Sequence, residues 1–252
     1  MTAPVMAGAQ PASFAGGPTG VLVLHGFTGN PQSMRPLATA LAAAGHTVEL
    51  PLLPGHGTAM EDMIPTRWAD WSAAAEAAYQ ELAGRCERVA VAGLSMGGAL
   101  ATWLAANHPE IVALIAVNPI IEPGAAEMVP PLQEMLDGGT EVMPGIGSDI
   151  AQPNAAESAY PGSPVAALIS LLNDGVRPLA DQLSAIRCPV LLFTSSQDHV
   201  VPPTSSDYLA SAVSGPVERV ALERSFHVAT LDYDAADIER RSVDFLSKIF
   251  AA

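Results

Sequence analysis

Cysteine is scarce in this chain: Cys86 and Cys188 are the only two among 252 residues, and they lie far apart without the spacing of a metal site. That excludes a disulfide framework as the source of stability and fits structural thiols in a reducing compartment. Cations are short as well, 11 Lys and Arg against 26 Asp and Glu, leaving a formal net charge of −15. Such a deficit argues against holding nucleic acid or an anionic membrane surface by electrostatics, and favours a neutral or apolar ligand. No stretch approaches the ~20 continuous apolar residues of a membrane span. Met1 to Gly20 has no Lys or Arg and is broken by Pro and Gly, so it lacks both parts of a signal peptide. The expectation is a cytoplasmic protein without stable membrane insertion.

What is present is a core. A chain this long buries roughly 70% of its unfolded surface, enough for one α/β domain over residues 1–252. Short runs of Val, Leu and Ile alternate with amphipathic segments, the pattern of a mostly parallel sheet covered by helices on both faces. The spacing predicts strands at Val21–His25, Thr47–Leu50, Arg88–Ala92, Ile111–Val117, Val190–Phe193 and Val217–Ala221. Helices are expected at Pro31–Ala44, opened by Asn30 as N-cap, at Thr66–Leu82, and after the third strand, where Leu100, Trp103 and Leu104 share one face. A last helix, capped by Asp234, carries Ile238, Phe245, Leu246 and Ile249.

The alternation fails from Pro119 to Pro164, where eight of the 22 prolines fall and no strand run is evident. Residues such as Met128, Leu132, Met135 and Ile146 make this stretch too apolar for disorder. It is expected to form a small cap insertion over about residues 120–165.

Between the third strand and its helix stands Gly93-Leu94-Ser95-Met96-Gly97, followed by Gly98. A sharp strand-to-helix turn drives the central serine toward positive φ and lifts its Oγ above the sheet, and glycines flank it because side chains there would collide. A serine hydroxyl is a poor nucleophile, so it needs a base in reach and a third group to fix the base's tautomer. With serine on such a turn, the chain order is nucleophile, acid, histidine. His227 sits after the last predicted strand and before the last helix, and is the expected base. Asp198, in a short loop after Val190–Phe193, is the expected acid, with Glu122 as its rival. His199 and His25 are expected to be structural. Two backbone N–H donors must hold an oxyanion: Met96 after the nucleophile, and Phe27 in the loop after the first strand.

Taken together, Leu24-His25-Gly26-Phe27-Thr28-Gly29, Gly55-His56-Gly57-Thr58, the turn around Ser95, Asp198-His199-Val200-Val201-Pro202-Pro203 and His227-Val228-Ala229-Thr230-Leu231-Asp232-Tyr233 resemble the bacterial monoacylglycerol lipase and carboxylesterase family, from about Gly20 onward. The resemblance implies the α/β-hydrolase fold and cleavage of fatty-acid monoesters of glycerol and of short or medium alkyl and aryl esters. It implies an acyl-enzyme and no metal or cofactor. It carries over Ser95, Asp198 and His227 as triad and Phe27 and Met96 as oxyanion donors, and it points to Ile146 and Glu157 as substrate-facing. Glu157 is then the expected reader of glycerol hydroxyls, with Thr58 as helper. The same triad would also serve a thioester or a C–C bond beside a carbonyl, and a ligand-binding protein could keep the fold without turnover.

Overall fold

The computed structural model describes residues 3–145 and 147–251. Seven strands form one sheet in the order β1-β3-β2-β4-β5-β8-β9: β1 Ala12–Phe14, β2 Thr19–Leu24, β3 Thr47–Leu50, β4 Arg88–Leu94, β5 Ala113–Val117, β8 Val190–Ser195 and β9 Val217–Leu222. All neighbours run parallel except β1, which pairs antiparallel with β3. The six expected strands are present within a few residues. The added β1 is a three-residue, half-exposed edge strand with no hydrophobic run to announce it.

Period-two alternation decides which side chain goes to which face. Leu22, Leu24, Val89, Val91, Leu114 and Leu192 enter one core layer, closed by helices Trp68–Ala83 and Met96–Asn107 through Trp71, Tyr79, Leu100 and Leu104. Val21, Val23, Ala90, Ile115, Leu191 and Phe193 enter the other, closed by helices Arg35–Ala43 and Ala235–Ala251 through Leu37, Leu41, Phe245 and Leu246. Cys86 is buried and free, and Cys188 is free with its thiol pushed up to about 11 by burial.

Two expected caps differ in outcome. Asn30 accepts the Gln32 N–H at 3.0 Å, as expected, but the turn it opens is a short 3-10 helix, Pro31–Ser33, before the α-helix starts at Arg35. Asp234 precedes the last helix, yet its side chain accepts from Ser225 Oγ at 2.8 Å and Arg224 N–H at 3.2 Å rather than from the first turn.

The strand order reverses at β2, since β3 lies on one side of it and β4 on the other. Loops leaving β2 and β4 therefore diverge and open a crevice at their carboxyl ends, where ligands of open α/β sheets bind. The chain between β5 and β8 returns over this end. It holds helix Val129–Asp137, a hairpin of β6 Val142–Pro144 with β7 Gly162–Pro164, and helix Val165–Ser170 leading into a π-helical turn, Leu171–Val176. The hairpin corrects the expectation of a strandless cap: two three-residue strands formed on Pro and Gly pair across nearly twenty residues, and nothing local encodes the pairing. Among the described residues no helix is long and apolar enough to cross a membrane.

Candidate active site

Ser95 has φ 57° and ψ −117°, a conformation strained for a residue with a side chain. The glycines around it show what enforces the turn. A Cβ on Gly93 would stand 2.1 Å from the Gly97 carbonyl oxygen, and one on Gly97 would stand 2.2 Å from that of Leu24. The helix thus enters against the backbone of β2, and the serine is left half-buried at the crevice.

Ser95 and His227 line one cavity of about 140 Å³. The imidazole Nδ1–H donates to Asp198 Oδ2 at 2.7 Å, which leaves Nε2 as the acceptor nitrogen. Asp198 is itself held by the Val200 and Val201 N–H groups, both donating to Oδ1 at 2.8 Å. Glu122 instead accepts from Thr204 Oγ1 at 2.7 Å and lines a separate outer cavity. The geometry brings Asp198, not its rival, to the histidine. His199 turns outward, with its ring on Asp149 and against the Phe226 ring.

Phe27 lines the cavity, and the Gly26 position before it lies against Ser95, since a Cβ there would be 3.5 Å from the serine Cβ. Met96 opens its helix, where a backbone N–H has no partner within the helix. Beneath this loop, His25 accepts the Leu53 N–H on Nε2 at 3.1 Å and bonds the Gly26 carbonyl through Nδ1 at 3.0 Å. Burial and the neighbouring His56 lower the His25 pKa to about 3, and burial lowers that of His56 to about 4. Both rings are neutral braces, as the loop position of His25 suggested.

The opposite wall comes from the segment between β5 and β8. Met128, Leu168, Leu171 and Leu172 make it largely apolar, and Glu157 and Asp149 are its half-buried acids. Burial raises the Glu157 pKa, opposed by His227 and the Ser33 hydroxyl. Among the described residues Glu157 takes part in no ion pair. Its carboxylate presses on Gly29, where a Cβ would meet Oε1 at 2.5 Å. Thr58 is placed elsewhere: it lies in a shallow surface pocket and its N–H donates to the Tyr160 hydroxyl at 2.9 Å, so it does not help Glu157. Ile146 lies outside the described residues.

Residues not singled out from sequence hold the frame. Asn118, at φ 43° just past β5, donates through Nδ2 to the His227 carbonyl at 2.8 Å and to Ser195 Oγ at 2.9 Å. Tyr160 donates its hydroxyl to the Gly55 carbonyl at 2.9 Å, and its backbone N–H to the Thr28 carbonyl at 3.0 Å. An asparagine directly after a strand was the available signal for the first. For the second, Tyr160 stands three residues after Glu157, in Glu157-Ser158-Ala159-Tyr160.

The model of the Alpha/beta hydrolase family matches residues 21–238. The thermostable monoacylglycerol lipase of Bacillus sp. (strain H-257) is 45% identical over 249 residues, 97% of each chain. A carboxylesterase of Bacillus subtilis (strain 168) is 26% identical over 242 residues, 95% of this chain and 97% of its own. Among solved structures, one from work on two metagenome-derived lipolytic enzymes superposes with a TM-score of 0.90 at 40% identity, covering 97% of this chain and all of its own. The monoacylglycerol lipase of Paleococcus ferrophilus superposes at 0.80 with 19% identity over 95% of this chain and 98% of its own, a likeness of fold alone. With this geometry and these relatives, the chain belongs to the alpha/beta hydrolase family.

Proposed function

We propose that the protein is a serine carboxylic-ester hydrolase that releases fatty acid from monoacylglycerols and from short to medium esters. The observation that carries the reading is one cavity holding a strained Ser95 and a His227 whose far nitrogen is bonded to a buried Asp198 at 2.7 Å. Its walls are mostly apolar, with Glu157 and Asp149 as the carboxylates and Thr28 and Ser163 as further polar residues among them. On this reading residues 1–252 form a single hydrolase domain whose cap is the insertion after β5.

In the first half-reaction His227 Nε2 takes the Ser95 proton while Oγ attacks the ester carbonyl. The oxyanion is held by the Phe27 and Met96 N–H groups, and Asp198 stabilises the imidazolium. The tetrahedral intermediate collapses, the C–O bond to the alcohol breaks, and His227 returns the proton to the departing alkoxide. Water then repeats the cycle on the acyl-enzyme, releasing the acid and restoring Ser95. Apolar side chains around the cavity accept the acyl chain, with each buried methylene worth roughly 0.8 kcal/mol.

Glu157 is the reader of the alcohol. A carboxylate among apolar walls costs free energy unless donors reach it, and two neighbouring glycerol hydroxyls are such donors. The test compares two substrates in two variants. Ser95→Ala lowers kcat on both by at least about 10⁴-fold. Glu157→Leu lowers kcat/KM on monoacylglycerol by roughly 10- to 150-fold and leaves p-nitrophenyl esters nearly unchanged. Activity surviving in Ser95→Ala sinks the nucleophile assignment, and equal losses in Glu157→Leu reduce the reading to a general carboxylesterase.

A further inference from the structure

The cap reaches the catalytic loops through a carboxylate to which the mechanism gives no role. Asp149, in the insertion, accepts on Oδ2 from the backbone N–H of His227 at 3.0 Å and of His199 at 3.2 Å. Its Oδ1 accepts from His199 Nδ1 at 2.8 Å, and its own carbonyl accepts the Val228 N–H at 3.0 Å. One side chain therefore grips two loops from different strands, the one after β8 that carries Asp198 and the one after β9 that carries His227.

A second carboxylate reciprocates from the core side. Asp232, buried, takes the Ala151 N–H at 2.7 Å and the Phe226 N–H at 2.9 Å on Oδ2, and the Gln152 N–H at 2.9 Å on Oδ1. The stretch Asp149 to Gln152 is thus clasped to the residues on either side of His227.

We propose that Asp149 is a positioning residue: the cap sets the register between the base and its acid, besides walling the cavity. This rests on the reading of His227 and Asp198 as base and acid. Their 2.7 Å bond spans two loops, so its length depends on how those loops sit relative to each other. Backbone N–H groups donating to a carboxylate form short, charge-assisted bonds, stronger than neutral ones. Losing that grip lets the imidazole drift, and a displacement near 1 Å costs about 10²-fold in rate.

The experiment uses p-nitrophenyl acetate, whose two-carbon acyl group has little need of the cap's apolar wall. Asp149→Asn keeps the shape but turns one acceptor into a donor. It is expected to lower kcat by about 10- to 100-fold with KM within about threefold. Fluorophosphonate labelling of Ser95 should slow by the same factor. The far-downfield proton resonance of a His Nδ1–H on a carboxylate, expected from the wild type, should broaden or vanish. His199→Ala, which removes only the ring bond, should keep at least about half of kcat.

If Asp149→Asn keeps kcat and the downfield proton while KM rises, Asp149 only anchors the cap and the proposal falls. A loss in His199→Ala as large as in Asp149→Asn also overturns it, because the effect then runs through the imidazole of His199 and not the backbone of His227. Ser95→Ala, measured alongside, separates the two levels. If it stays active, the triad reading has failed. If it is dead while Asp149→Asn matches wild type, only the positioning role has.

Discussion

Floor and roof of the cavity are built by different means. The floor consists of loops at the ends of parallel strands, locked by backbone contacts too close for a Cβ, by neutral buried imidazoles and by carboxylates that accept N–H groups. The roof is a run of short elements whose contribution to the cavity is mostly apolar side chains, with two acids, Asp149 and Glu157, and Ser163. The floor has little freedom and so sets the chemistry, whereas the roof presents shape and so sets which ester fits. Changes to the floor should act on kcat whatever the substrate, and changes to the roof should act by substrate, except at Asp149, whose carboxylate holds the floor's own loops.

The sharpest test of that division is the acid of the floor. Asp198→Asn should lower kcat by about 10³- to 10⁴-fold on every ester, because an amide in its place no longer stabilises the imidazolium. Glu122→Gln should stay within about twofold, since its carboxylate is bonded to Thr204 and faces the outer cavity. Steady-state rates on a short and a long ester check both, and the opposite ranking would move the acid.

A middle-sized effect concerns acid. In the unfolded chain His25 and His56 take up protons near 6.5, but the folded floor holds their pKa values at about 3 and about 4. The unfolded state therefore binds more protons below 6.5, so their stabilising share is complete above that pH and is lost as pH falls toward 4. Each histidine adds up to about 1.4 kcal/mol of lost stability per pH unit in that window. Glu157 has the opposite sign: its raised pKa makes the folded roof the better proton holder, so it costs stability once pH rises above 4.5. Denaturant midpoints from pH 4 to 7 should show a slope that His56→Phe roughly halves, and an unchanged slope would assign the acid sensitivity to other groups.

The smallest effect tests the roof as a shape. Met128, half exposed, walls both the catalytic cavity and an outer one of about 540 Å³, together with Ile120, Val200 and Val201. Met128→Ala should open that wall and move the preferred acyl chain longer by about two to four carbons, with rates on acetate esters within about twofold. An unchanged chain-length profile would place the acyl group elsewhere.

How far each region was legible follows from the same contrast. The six long strands were readable because burial on both faces demands continuous Val, Leu and Ile runs. The Ser95 turn was readable because its steric demand is met by glycines two residues away on either side. In the roof, the signals were apolar residues without periodicity, which led to the expectation of a strandless insertion and gave no sign of the hairpin of β6 and β7. Thr58 shows the limit of motif proximity: it belongs to a motif that helps frame the site, yet its partner is the Tyr160 hydroxyl and it stands outside the cavity.

By itself the sequence determined the α/β alternation, the strained serine and the order of serine, acid and histidine along the chain, since each is encoded by local sterics or by period. Only the tertiary structure decided that Asp198 and not Glu122 meets His227. It alone decided that Asn118 holds the His227 carbonyl from 109 residues away and that Asp149 holds the His227 N–H from 78 residues away. A hydrogen bond has a reach of about 3 Å and no preference for sequence neighbours. Which donor an acidic side chain meets is therefore a property of where the strands deliver their loops.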